Sequence, residues 1–147
     1  MSQTEDFLTP EEEQEIVRAI AEAESNTSGE IRVHLEEHTE QPPFERAKEV
    51  FLSLKMHETE KRNGVLFYVG VADHSFVILG DEGINQVVEA DFWECTKDIV
   101  IENFKNKAYK KGLVEGILRA GERLKTYFPF HHEDNNELSN EISKGKR

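Results

Sequence analysis

The fold is decided by a stretch in the middle of the chain, which reads Arg62-Asn63-Gly64-Val65-Leu66-Phe67-Tyr68-Val69-Gly70-Val71-Ala72-Asp73-His74-Ser75-Phe76-Val77-Ile78-Leu79-Gly80-Asp81-Glu82-Gly83-Ile84. Residues 64–71 are almost uninterruptedly apolar, and a strand of that kind is usually covered on both faces of its sheet. The connection at residues 72–74 is short enough for a hairpin. We therefore predict a buried strand, a tight turn and a second strand over residues 75–80 that runs antiparallel to the first.

The residues before this stretch predict a parallel crossover. Apolar and polar residues alternate over 30–37, with Ile31, Val33 and Leu35 on one face, which is typical of a strand buried on one side. A predicted helix that begins at Pro43 separates this strand from the apolar one. A strand, a helix and a strand in succession form a right-handed unit whose two strands are parallel.

Helices are also predicted before and after the strands. The sequence Thr9-Pro10-Glu11-Glu12 combines a capping residue, a proline in the first turn and an acid at the capping-box spacing, so a helix begins here. Apolar residues recur at helical spacing over about 109–127. We predict an α/β fold, namely a three-layer α/β/α sandwich with a small mixed β-sheet that combines the parallel crossover with the antiparallel hairpin.

The distribution of apolar residues predicts one domain and a tail. Residues 1–130 contain the predicted strands and helices and are enough for a single core. Residues 131–147 are polar, with Leu138 and Ile142 as their only large apolar residues. A segment of that composition buries too little apolar surface to fold, so we predict a disordered polar tail.

Charge and composition exclude several classes of function. The 147 residues carry a formal net charge of −12, so the basic surface of a nucleic-acid-binding domain is missing. No apolar run approaches the roughly 18–20 residues that span a bilayer, and the acidic start lacks the features of a secretory signal. Cys95 is the only cysteine, which excludes an internal disulfide and favours a small buried side chain. We expect a cytoplasmic, monomeric protein.

Polar residues from three distant parts of the chain are predicted to meet at one edge of the sheet. Parallel strands start at the same edge, and the antiparallel third strand ends there. The residues brought together are Glu30, Arg62, Asn63, Asp81 and Glu82. Carboxylate and amide oxygens suit hard cations such as Ca²⁺ or Mg²⁺, so Glu30, Asn63, Asp81 and Glu82 are candidate metal ligands. The alternative is an ordinary turn and helix cap in which Arg62 pairs with Asp81.

Catalytic motifs with a recognisable spacing are missing from the sequence. It contains no Walker lysine, no His-Glu-x-x-His and no Gly-x-Ser-x-Gly. Ser75 lies in the predicted hairpin without an evident base, and the six histidines show no metal-ligand spacing. Catalytic residues therefore remain unknown from the sequence.

Six segments carry a resemblance to a known family. In chain order they are Leu8-Thr9-Pro10-Glu11-Glu12, Ser28-Gly29-Glu30-Ile31-Arg32-Val33, Arg62-Asn63-Gly64-Val65-Leu66-Phe67-Tyr68-Val69, Val77-Ile78-Leu79-Gly80-Asp81-Glu82-Gly83-Ile84, Tyr109-Lys110-Lys111-Gly112-Leu113 and Phe128-Pro129. Together they resemble the TPM domain family, and in particular its stand-alone Bacteroidetes-type members. The resemblance implies an α/β/α sandwich, with Ca²⁺ or Mg²⁺ bound in an acidic crevice in some members. By position, Asn63, Asp81 and Glu82 match the ends of the family motif, and Glu30 is adjacent in the predicted fold.

Three functional hypotheses follow from these residues and this resemblance. The first is a non-catalytic module that binds divalent cations and acts in protein maintenance, with possible protein partners at its charged helices. The second is a metal-assisted acid phosphatase acting on phosphomonoesters, as some plant relatives are described, in which Arg62 binds a phosphate oxygen. The third is a structural adaptor that uses the basic last helix and does not respond to metal.

Overall fold

The structure is a computed structural model that describes residues 7–130 and 138–145. The helices in these residues are α1 (Pro10–Glu24), α2 (Pro43–Ser53), α3 (Glu82–Asn85), α4 (Glu94–Lys105) and α5 (Tyr109–Lys125). The strands are β1 (Glu30–Glu36), β2 (Gly64–Gly70), β3 (Ser75–Gly80) and β4 (Ser143–Lys144), and a single 3-10 turn covers Met56–Glu58.

The sheet confirms the predicted crossover and hairpin. Its strand order is β3-β2-β1-β4. Strand β1 is parallel to β2, with Glu30 opposite Gly64 at the first pair. Strand β3 is antiparallel to β2, with Val65 opposite Gly80. The starts of β1 and β2 and the end of β3 therefore lie at the same edge, as the sequence predicts.

The two faces of the sheet are covered by different layers. The first face, with Ile31, Val65 and Phe67, packs against α1, α4 and α5. The second face, with Leu66 and Tyr68, packs against α2 and the 3-10 turn. Every residue of β2 is buried, in agreement with its uninterrupted apolar sequence. These layers confirm the predicted α/β sandwich with a mixed sheet.

The glycines of α5 allow that helix to approach its neighbours closely. A Cβ atom added to Gly121 would lie 2.8 Å from the Cβ of Ala23 in α1. One added to Gly116 would lie 2.5 Å from a methyl carbon of Val100 in α4 and 3.2 Å from the ring of Phe67 in β2. These glycines therefore let α5 pack closely against two helices as well as the sheet.

Helix α4 starts later than its capping sequence suggests. Asp91 is a plausible cap with Cys95 on the inner face, but the helix begins at Glu94 and Cys95 is exposed. The rings of Phe92 and Trp93 pack edge to face, 4.6 Å apart, before the first turn. The buried residues of the helix are Thr96, Val100 and Phe104, so the prediction that Cys95 is buried is wrong.

The C-terminal segment corrects the prediction of a disordered tail. Residues 138–145, which we call the C-terminal strap, lie against the second face of the sheet and the outer edge of β1. Leu138 is buried in the cluster with Leu66 and Tyr68, and β4 pairs with β1 in parallel. The prediction is wrong for the strap, because β1 offers it an open edge; residues 131–137 and 146–147 lie outside the described residues.

In the part of the chain that the structure describes, no helix has both the length and the apolar character that crossing a membrane requires.

Candidate functional site

Arg62 and Asp81 are the centre of the predicted sheet edge. Asp81 follows β3 and caps α3, where its Oδ1 accepts a hydrogen bond from the Glu82 amide at 2.7 Å. Arg62 donates to both carboxylate oxygens of Asp81, from Nε at 2.9 Å and from Nη2 at 3.0 Å. Its Nη1 lies 3.4 Å from Glu82 Oε1. The hydrogen bonds to Asp81 raise the pKa of Arg62, so the guanidinium is firmly charged.

Asn63 and Glu30 reach the same edge but their side chains make other contacts. Asn63 is buried, and its Nδ2 donates to Ser28 Oγ at 3.3 Å. Glu30 is also buried, and its Oε1 accepts a hydrogen bond from the Leu138 amide of the strap at 2.5 Å. The edge thus brings Arg62, Asp81 and Glu82 into one group of contacts, whereas Asn63 and Glu30 contact neighbouring segments.

Backbone oxygens converge beside this group at Gly83. The Gly83 amide donates to the Arg62 carbonyl at 2.8 Å, and a Cβ atom at Gly83 would overlap the carbonyl oxygens of both Lys61 and Arg62. Only glycine leaves room for this approach. Carbonyl oxygens are hard ligands of the type that Ca²⁺ and Mg²⁺ prefer.

Side chains alone do not complete a metal site here. Within residues 7–130 and 138–145, no group of three or more His, Cys, Asp or Glu residues is placed to hold a metal ion. A cation at the edge would therefore need backbone carbonyl oxygens and water in addition to Asp81 and Glu82. The metal roles of Glu30, Asn63, Asp81 and Glu82 stay predictions, as does the phosphate-binding role of Arg62.

A second polar cluster, which the sequence did not reveal, lies near the other end of β1. We call it the relay cluster, and it consists of His34, Glu36, Arg46, Tyr68 and Ser143. Arg46 Nε lies 3.0 Å from each oxygen of Glu36, and the Tyr68 hydroxyl donates to Glu36 Oε2 at 2.7 Å. His34 Nε2 lies 3.2 Å from Glu36 Oε1, and His34 Nδ1 lies 2.9 Å from Ser143 Oγ.

The charge states in the relay cluster follow from burial and hydrogen bonding. Burial alone would raise the pKa of Glu36, but hydrogen bonds from Arg46, Tyr68 and His34 outweigh it and lower the pKa to about 2. Burial lowers the pKa of His34. At neutral pH the cluster therefore holds an ionised carboxylate and a neutral imidazole.

Only some residues of the relay cluster could be recognised from the sequence pattern. His34 and Glu36 share the polar face of an alternating strand, a face that was expected to meet solvent. Tyr68 lies directly opposite His34 in the neighbouring strand. Ser143 carried no signal, because it is 109 positions away from His34 in a segment whose composition predicts disorder.

Comparison with known proteins assigns the chain to a family. The family model of the TPM domain matches residues 1–123. The chain belongs to the TPM domain family. This match confirms the predicted resemblance, and the C-terminal strap lies beyond the matched residues. No curated protein matches the chain at a significant level.

Two solved structures are similar to this TPM domain. The solution structure of the BA42 protein from the psychrophilic bacterium Bizionia argentinensis is 55% identical, with a TM-score of 0.90; the match covers 95% of this chain and 96% of that one. The N-terminal domain of a protein from P. gingivalis is 17% identical, with a TM-score of 0.67, over 86% of this chain and 83% of that one. At that identity the second likeness concerns the fold alone.

Proposed function

We propose that this TPM domain is a non-catalytic module that binds a divalent cation, Ca²⁺ or Mg²⁺, where Asp81 and Glu82 follow β3. The observation that supports the proposal is the convergence of oxygen atoms there. The carboxylates of Asp81 and Glu82 both contact the Arg62 guanidinium, and the next residue, Gly83, is approached by the carbonyl oxygens of Lys61 and Arg62. Hard cations favour such oxygens, and the net charge of −12 attracts cations to the protein as a whole.

Arg62 is the cation that an incoming metal ion must displace. Its guanidinium occupies both oxygens of Asp81, yet 39% of its side chain is exposed. The guanidinium can therefore turn to solvent while a divalent ion takes its place on the carboxylate. Binding is a competition for Asp81 between the Arg62 guanidinium, which carries one positive charge, and the metal ion, which carries two. Removal of Arg62 should therefore strengthen metal binding.

A titration followed by amide chemical shifts tests the proposal. Addition of Ca²⁺ or Mg²⁺ should cause saturable shifts at residues 61–64 and 80–84. Asp81→Asn should weaken binding roughly tenfold to a hundredfold, since a charge-assisted contact contributes about 1.5–3 kcal/mol. Arg62→Gln should strengthen binding, and Glu89→Gln, which removes an exposed acid elsewhere, should leave it unchanged. Shifts scattered over surface acids, or equal affinities in all variants, would refute the site.

The alternative is a metal-assisted phosphatase that acts on phosphomonoesters. The position of Arg62 favours it, because a guanidinium released from Asp81 by a metal ion would lie beside that ion and could bind a phosphate oxygen. The same variants separate the two functions in an assay with a generic phosphomonoester. Mg²⁺-dependent hydrolysis that is lost in both Asp81→Asn and Arg62→Gln supports the phosphatase, and cation binding without hydrolysis supports the binding module.

A further inference from the structure

Three side chains of the relay cluster stand in the order of a nucleophile, a base and an orienting carboxylate. Ser143 Oγ is 2.9 Å from one ring nitrogen of His34. The other ring nitrogen is 3.2 Å from Glu36. Serine hydrolases on unrelated folds share this pattern, in which a base within hydrogen-bond reach of the hydroxyl is held by a third group.

The contacts of Glu36 determine which ring nitrogen of His34 carries the proton. Arg46 and Tyr68 both donate to Glu36, and an ionised carboxylate can only accept hydrogen bonds. The His34 nitrogen that faces Glu36, Nε2, must therefore carry the proton. The lone pair of Nδ1 is then directed at Ser143, whose hydroxyl donates to it. This tautomer is the one in which His34 can take a proton from the serine.

The cluster is held in place by the sheet. His34 is 5% exposed and its ring stacks on Tyr68, with 5.9 Å between ring centroids. Ser143 is paired with His34 across β1 and β4, and the Gly145 amide donates to the Leu35 carbonyl at 2.8 Å. Ser143 itself is only half-buried. The base and the carboxylate are thus sheltered, whereas Ser143 is partly exposed.

A cation lies on the same face of β1. Arg32 precedes His34 by two residues, and its charge contributes to the lowered pKa of His34. Its buried Nε has no hydrogen-bond partner among the described residues. A guanidinium on the strand face that carries the base can stabilise the negative oxygen that forms when a carbonyl group is attacked. Moreover, ligands of open α/β sheets bind near the carboxyl ends of parallel strands, which is where His34 and Glu36 lie.

We propose that Ser143 is an activated nucleophile that accepts the acyl group of small carboxylic esters, with His34 as its base and Glu36 as the residue that positions His34. Ser143 Oγ attacks the carbonyl carbon while its proton passes to His34 Nδ1. The bond from that carbon to the alcohol oxygen breaks, and His34 returns the proton to the departing alcohol. Water then attacks the acyl-serine through the same base and releases the carboxylic acid, which restores the hydroxyl of Ser143. The site is separate from the proposed cation site.

The experiment uses the full chain with p-nitrophenyl acetate, in the presence of a chelator. Release of p-nitrophenolate gives the rate, and peptide mass spectrometry locates the acetyl group. Acetylation of Ser143 is expected, and Ser143→Ala should abolish it. His34→Gln should slow it by roughly a hundredfold or more, the usual contribution of a general base. Ser139→Ala, a change at an exposed serine in the same strap, should have no effect.

Two further measurements keep the test decisive if a variant disturbs the strap. The amide signals of Leu138 and Gly145 report whether the strap is still docked, and Ser143→Cys retains a nucleophile at the same position. Acetylation of the cysteine with a docked strap supports the relay. The proposal is overturned if acetyl groups appear only on lysines, if His34→Gln reacts as fast as the wild type with its strap docked, or if Ser143→Cys stays unmodified.

Discussion

At the scale of single residues, Glu24 is an acid whose ionised form is destabilised by burial. Its Oε2 accepts a hydrogen bond from the Ile31 amide at 2.9 Å, on the outer edge of β1. Burial raises the pKa of Glu24 from its usual 4.5 to about 7, and the hydrogen bonds from Ile31 and Asn140 only partly oppose this. Because the folded-state pKa is above the unfolded value, the folded protein prefers the protonated acid. The associated stability is fully present below pH 4.5 and is lost as the pH rises through 7.

Glu24→Gln should therefore stabilise the protein at alkaline pH. Glutamine can still accept the Ile31 hydrogen bond without burying a charge, so the free energy of unfolding should rise by about 1–3 kcal/mol at pH 8, with little change at pH 4. Thermal unfolding at the two pH values measures the difference. Glu22→Gln, at an exposed position in the same helix, serves as the control. A gain of equal size at both pH values would show that the ionisation of Glu24 is not responsible.

Single residues also mark the limit of what the sequence could predict about the sites. The backbone convergence of Glu30, Asn63 and Asp81 followed from strand direction alone and is present. The direction of each side chain depends on its contacts in the folded protein. Asn63 contacts Ser28, and Glu30 contacts the strap. Those contacts involve segments far apart in the chain, for which no local pattern exists.

At the scale of secondary structure, the contact between α1 and α5 depends on small residues. Gly121 lies against Ala23, where an added Cβ would be 2.8 Å from the Ala23 Cβ and 3.0 Å from its Cα.

The strands and most helices were predictable because their periodicity and their capping residues are local features of the sequence. The start of α4 was not, because its N-cap residue, Trp93, makes no side-chain capping hydrogen bond.

Gly121→Ala should destabilise the protein although alanine is the better helix former. The helix preference favours alanine by about 1 kcal/mol, whereas overpacking costs about 1–3 kcal/mol, so we expect a net loss of about 1 kcal/mol in chemical denaturation. Ala23→Gly creates the missing space, and the double variant should lose less than the sum of the two single variants. Strict additivity would mean that the two helices can move apart at no cost.

At the scale of the whole molecule, the strap closes the outer edge of the sheet. Leu138 fills the second-face cluster, β4 covers part of β1, and Lys144 Nζ lies 2.8 Å from Glu13 Oε2 in α1. The strap escaped prediction because its apolar residues are few and its partners lie in distant parts of the chain. An exposed strand edge invites pairing with other chains, so we expect the strap to favour solubility as well as stability.

Removal of residues 138–147 should weaken the fold and expose β1. The loss of the buried Leu138 side chain alone should lower the free energy of unfolding by about 2 kcal/mol. The uncovered edge of β1 should also promote association that rises with protein concentration. Chemical denaturation and size-exclusion chromatography measure the two effects. Removal of residues 146–147 alone is the control, and an unchanged free energy of unfolding in the longer truncation would contradict the role of the strap.

The position of the strap in the chain has a consequence for biosynthesis. Chains emerge from the ribosome amino-terminus first, so β1, β2 and β3 can pair before residues 138–145 are available. Until then Glu30 lacks the Leu138 amide and His34 lacks Ser143. The sheet can therefore be completed only after the strap has been synthesised, and Ser143 can join His34 and Glu36 only after β1 has been made.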